Sequence, residues 1–133
     1  MATNEELESL RHFAPAEFHH GELMSIAFLR WLDEVRDRYA FPIQLTNDGR
    51  TQEENNALLR KGAAPNSRHL VGEAVDMTFP PTAYHLWRLV EAVFQVPAPR
   101  PIELELVNSS VDQHVHLAWM GLGRSSKLLV KAD

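Results

Sequence analysis

Three side chains in this sequence, His69, Asp76 and His116, have the types and the placement to share one metal ion. Asp76 lies in the alternating run Ala74 to Phe79, on the side opposite Val75, Met77 and Phe79. His116 lies in a second run, His114 to Trp119, on the side opposite Val115, Leu117 and Trp119. If the apolar sets of both strands face one core, Asp76 and His116 emerge together on the other face. Directly paired residues on adjacent strands hold their Cβ atoms about 4.5–5.5 Å apart, a span suited to chelating one ion. His69, in the loop that enters the first strand, can reach the same point. Two imidazoles and a carboxylate leave a fourth zinc position for water, the arrangement of catalytic rather than structural zinc. The chain contains no cysteine, which excludes thiolate nucleophiles, disulfides and cysteine-ligated metals. Taken alone, the alternation also suits surface histidines, since the chain has seven.

The segment around two of these residues is more specific. Ser67-Arg68-His69-Leu70-Val71-Gly72-Glu73-Ala74-Val75-Asp76 closely resembles the zinc signature Ser-x-His-x-x-Gly-x-Ala-x-Asp of the D-Ala-D-Ala carboxypeptidase and L,D-endopeptidase family, peptidase family M15, which includes many phage endolysins. A small residue at Gly72 lets the chain turn from loop to strand, and Ala74 leaves room beside the metal. Asn47-Asp48-Gly49-Arg50, with Asn55 five residues after Arg50, is similar to the family's Ser-Gly-x-Arg-x-x-x-x-Asn segment. His114-Val115-His116-Leu117 is similar to its closing strand. The resemblance spans roughly Phe18 to Trp119 and implies His69, Asp76 and His116 as zinc ligands and Arg50 as a substrate-facing cation. A guanidinium there can bond a scissile carbonyl or a terminal carboxylate and stabilise an oxyanion. The alternative for Arg50 is a structural hydrogen bond to the turn before it.

The sequence departs from the family's best-known members at the general base. Many carry Asp or Glu three residues before the last histidine ligand, where this chain has Gln113, and an amide cannot accept a proton at neutral pH. Asp112 and Glu105 are the preferred replacements; Glu103 and His114 share the cleft-facing sides of their strands. The resemblance implies a zinc peptidase acting on peptidoglycan stem or cross-bridge peptides as a D,D-carboxypeptidase or endopeptidase, in phage lysis or wall remodelling. The alternative is a domain on the same scaffold that binds zinc without turnover.

Several elements must position these groups. Phe28, Leu32, Val35 and Tyr39 recur at helical spacing and predict a principal helix from Glu17 to Tyr39, ended by Pro42. Ile43 to Thr46 reads as a short strand closed by Asn47-Asp48-Gly49. Thr51 to Lys61 reads as a helix with Thr51 as N-cap and Gly62 as its stop. A third helix, Thr82 to Phe94, spaces Leu86, Leu89, Val90 and Val93 for burial. Strands Ile102 to Val107 and His114 to Trp119 follow, with a short edge at Leu128 to Lys131. Helices first and strands later suggest an α+β fold, with an antiparallel sheet, helices on one side and the metal cleft on the other. Trp31 and Trp87 sit at core spacing, Trp119 ends a strand, and core packing is the expectation for all three. His19-His20 reads as an exposed pair, His85 as a surface residue, and Gly121 to Ser126 as a turn.

At 133 residues the chain suits one domain over 1–133, its ends (1–16 and 120–133) least constrained by pattern. Hydrophobic residues make up 44% and charged ones 23%, the balance of a globular protein. The net charge of −5 argues against general nucleic-acid binding, which needs a basic face, and is an awkward sign for approach to an anionic wall. The acidic start MATNEELESL is no secretory signal, and no apolar run is long enough to span a bilayer. The expectation is a monomer, cytoplasmic as made, without membrane or nucleic-acid partners. It would reach the cell wall after release or as part of a virion.

Overall fold

The computed structural model describes residues 1–109 and 113–132. In chain order the elements are helix α1 (Asn4–Glu8), helix α2 (Ile26–Tyr39), strand β1 (Gln44–Asn47), helix α3 (Gln52–Leu58), strand β2 (Ala74–Thr78), helix α4 (Ala83–Gln95) and strands β3 (Ile102–Asn108), β4 (Gln113–Trp119) and β5 (Lys127–Ala132). The strands form one five-stranded sheet in the order β1-β2-β4-β3-β5.

The principal helix is shorter than its apolar period predicts. Residues 17–25 pass through short 3-10 turns, and α2 starts only at Ile26, where the Ser25 hydroxyl accepts the Phe28 N–H. It closes at Ala40 in the left-handed region (φ 72°), just before Pro42. Along α2, Phe28, Leu29, Leu32, Val35 and Tyr39 are fully buried. On α4, capped by Thr82, Leu89, Ala92 and Val93 are buried. Both stripes pack with Val75, Met77, Leu104, Val115 and Leu117 into one core. Asp33, on α2 and buried, accepts the backbone N–H groups of Arg11 and His12 and so ties the N-terminal segment to the helix.

Helix α3 has the expected Thr51 cap, made reciprocal by Glu54, but gives way to a 3-10 turn at Leu59–Lys61 before Gly62 (φ 96°). Helix α1, in a segment with no assigned element, rests on a second such box, Thr3 with Glu6. Trp31 and Trp119 are buried against Phe28 in an aromatic cluster. Trp87, expected in the core, is 66% exposed, because the buried stripe of α4 runs through Leu89 and Val93 instead. His85 is half-buried rather than superficial, its Nδ1 bonded to the Tyr39 hydroxyl at 2.8 Å.

The sheet is mixed, which corrects the antiparallel expectation. β2 pairs with β4, and β4 with β3, antiparallel; β5 pairs with β3 in parallel. The chain reverses after β4, as the glycine-rich turn predicts. Both flanks of β4 are already taken by β2 and β3, so the returning strand docks on the free edge of β3. A strand reversed after β4 necessarily runs the same way as β3.

Candidate metal centre

Across the middle of the sheet the register aligns one row of polar side chains: Asn47 opposite Asp76, Asp76 opposite His116, and His116 opposite Glu105. The alternation that buries Val75 and Met77 with Val115 and Leu117 puts Asp76 and His116 together on the other face. His69 joins them from a 3-10 turn, Arg68–Val71, that leads into β2. The turn ends at Gly72 in the left-handed region (φ 69°), where an added Cβ would lie 2.1 Å from the Leu23 carbonyl oxygen. Glycine is therefore required both by backbone conformation and by contact with residues 23–25. The carboxylate of Glu73 is gripped by Arg68 and Arg100, while Arg68 Nε donates to the Trp119 carbonyl at 2.9 Å. These bonds pin the turn to the end of β4.

The three predicted ligands converge. Asp76 Oδ1 lies 2.9 Å from His116 Nδ1 and 3.5 Å from His69 Nε2, and one ligand atom from each residue falls within 4.8 Å of the other two. His69 Nδ1 donates to the Asp48 carbonyl at 2.6 Å. A carbonyl only accepts, so in the neutral ring Nε2 carries the lone pair turned toward Asp76. His116 Nε2 faces Glu103 at 3.3 Å. Both rings thus have their remaining nitrogen fixed by an acceptor, the outer-shell pattern of metal-ligating histidines. Asn47 Nδ2 holds the other oxygen of Asp76 at 3.1 Å.

The electrostatics indicate a site built around positive charge. Burial alone would raise the Asp76 carboxyl, yet the hydrogen bond from His116, with the His69 ring close beside it, outweighs burial and holds the group far below the usual carboxylate range. Burial likewise works to neutralise His116, but bonds to Asp76 and Glu103 push it up to about 9. Glu103 is lowered to about 2, chiefly by its bond to His116, against the effect of burial and with help from Lys127. A proton on His116 thus fills the role that a cation would take over. With two imidazoles, one buried carboxylate and oriented rings, the residues fit a divalent transition metal.

The other predicted residues fall around this centre in different ways. Arg50 bonds Asn55 Oδ1 at 3.0 Å and approaches Ser67 Oγ at 3.5 Å, and its backbone N–H donates to the His69 carbonyl. Asn55 is fully buried, its amide anchored on the Ala64 carbonyl, so the Arg-to-Asn spacing of five has a physical purpose: it holds the guanidinium. Glu105 lies directly opposite His116 in register, but its carboxylate pairs with Lys131 at 3.1 Å. Gln113 is exposed and bonds Asn108. His114, with Thr46, Asn47, Asp76, Thr78 and Gln113, lines an open cleft of about 280 Å³. Asp112 lies outside the described residues. Asn47, Asp48, Glu103 and Glu73 emerge as supports for these three side chains. Of these, only Glu103 follows from strand alternation; Asn47 depends on the irregular register at the end of β1, and Asp48 and Glu73 act from segments that have no periodic signature.

The family model described as Peptidase M15 matches residues 5–118, and the chain belongs to that family. Its fold is similar to that of the crystal structure of Serratia marcescens L-Ala D-Glu endopeptidase ChiX, with a TM-score of 0.55 at 14% identity, covering 74% of this chain and 82% of that one. No curated protein sequence matches the chain. Among the described residues no helix is long and apolar enough to cross a membrane.

Proposed function

We propose that the chain is a zinc peptidase that hydrolyses stem or cross-bridge peptides of peptidoglycan, with His69, Asp76 and His116 as the zinc ligands. The observation that carries this reading is the meeting of those three side chains at one point, each imidazole already oriented by an acceptor on its far nitrogen. Membership of the peptidase family supports the chemistry, and the likeness to an L-Ala D-Glu endopeptidase favours peptides of the wall as substrates.

When bound, zinc supplies Lewis acidity that activates a water and polarises the scissile carbonyl. The protein's own groups do the rest. Arg50, braced by Asn55, binds the scissile carbonyl or a terminal carboxylate and offsets the charge that develops there. A carboxylate takes the proton of the attacking water. Glu103 is poorly suited, because a group at about 2 holds protons weakly at neutral pH and is already committed to His116. Glu105, beside His116 in register, and Asp112 are the candidates; Glu105 must leave Lys131 to serve. The setting we propose is phage lysis or wall remodelling, reached after release from the cytoplasm or from a virion.

A second reading, zinc binding without turnover, draws on Gln113 at the usual base position and on the ion pairs that occupy Glu103 and Glu105. Incubating zinc-loaded protein with a muropeptide library and reading products by mass spectrometry separates the two. A cleaved stem or cross-bridge peptide, lost in Asp76→Ala, supports the peptidase. Stoichiometric zinc with no product from any muropeptide supports the non-catalytic domain.

A further inference from the structure

A second cluster of imidazoles and carboxylate lies outside this centre. His19 and His20, adjacent in the segment before α2, face Glu54 in the first turn of α3. His20 Nε2 lies 2.9 Å from Glu54 Oε1, and His19 Nε2 lies 3.7 Å from Glu54 Oε2, too long for a hydrogen bond. The two rings stand 4.3 Å apart, tilted at 57°. Tetrahedral ligand atoms about 2.1 Å from a zinc ion lie about 3.4 Å from one another. The observed separations bracket that value.

Two of the three groups are held in place without any ion. His20 Nδ1 meets Glu22 Oε1 at 3.1 Å, which orients the ring and leaves Nε2 toward Glu54, the carboxylate–histidine arrangement of metal sites. The His20 backbone N–H donates to the buried carboxylate of Asp48, fixing the main chain that carries the ring. Glu54 is set by its reciprocal bonds with Thr51. His19, 74% exposed, is the group whose orientation the fold does not otherwise explain.

We propose that His19, His20 and Glu54 form a second metal site, for a divalent transition ion of the zinc, cobalt or nickel class, with Glu22 as the outer partner of His20. Two imidazoles and one carboxylate select that class over calcium and magnesium, which require oxygen ligands. An ion there ties the segment before α2 to the turn that follows Arg50. It also rests on Asp48, whose carboxylate holds His20 and whose carbonyl holds His69.

Equilibrium dialysis against zinc, with metal counted by mass spectrometry, tests this on the full chain. Wild-type protein is expected to take up one more equivalent than His19→Ala, and Glu54→Gln is expected to match His19→Ala. The exposed position of His19 makes its loss harmless to folding, which circular dichroism verifies. Equal zinc uptake by wild type and His19→Ala at every zinc concentration overturns the site. A large excess of calcium or magnesium should leave the extra equivalent in place, and its displacement by either overturns the ion class. Because the count is a difference between two proteins, it is independent of the buried centre, and its failure leaves the peptidase reading untouched.

Discussion

The two histidine–carboxylate clusters use the same residue types in opposite surroundings. The His69, Asp76 and His116 cluster is sunk in the sheet face, where the His69 side chain is 3% exposed and Asp76 12%. The His19, His20 and Glu54 cluster joins a connecting segment to the first turn of α3, with His19 open to solvent. In the buried cluster a charge has nowhere to dissipate. Without a metal, the carboxylate is satisfied by a proton on His116, and Asn47 and Glu103 hold that arrangement. In the surface cluster water can replace any partner, so an ion there is an addition to a fold that stands without it. Burial therefore makes the first site part of the architecture and leaves the second dispensable.

Perturbing the scaffold beneath the buried cluster is expected to have the largest effect. Gly72→Ala meets the backbone of residues 23–25 and requires a left-handed alanine. Left-handed strain and overpacking together predict a loss of about 2–5 kcal/mol in urea unfolding. A loss below about 0.5 kcal/mol would mean that the turn carrying His69 is not locked against that backbone.

Next come the outer partners, where the same change can be made in both clusters. Glu103→Ala removes the acceptor of His116 Nε2 and is expected to weaken zinc binding at the buried site by about 10–100-fold, as measured by competition with a chromophoric chelator. Glu22→Ala, in the exposed cluster, should weaken its own site by less, because water can take over the bond to His20 Nδ1. Equal effects at the two sites would erase the distinction drawn from burial.

That Asp76 and His116 meet on one sheet face was legible in the sequence for a simple reason. Strand alternation is local, so Val75 and Met77 on one face leave Asp76 on the other, and Val115 and Leu117 do the same for His116. The strand order was not legible, because pairing β5 with β3 depends on which edges β2 and β3 had already filled. Nor was the choice between Glu103 and Glu105. Both share a face, and only the reach of long side chains, one to His116 and Lys127 and the other to Lys131, separates their roles. The surface cluster escaped for a similar reason. His19 and His20 are conspicuous, but the carboxylate that completes them follows more than thirty positions later, in the capping turn of α3.

The most direct test of the central claim is the zinc content of undenatured protein, measured beside His116→Ala and Asp76→Ala in a His19→Ala background that removes the surface cluster. The account predicts one zinc per chain in the parent and none in either variant. A parent that holds no zinc, or variants that keep it, would contradict it.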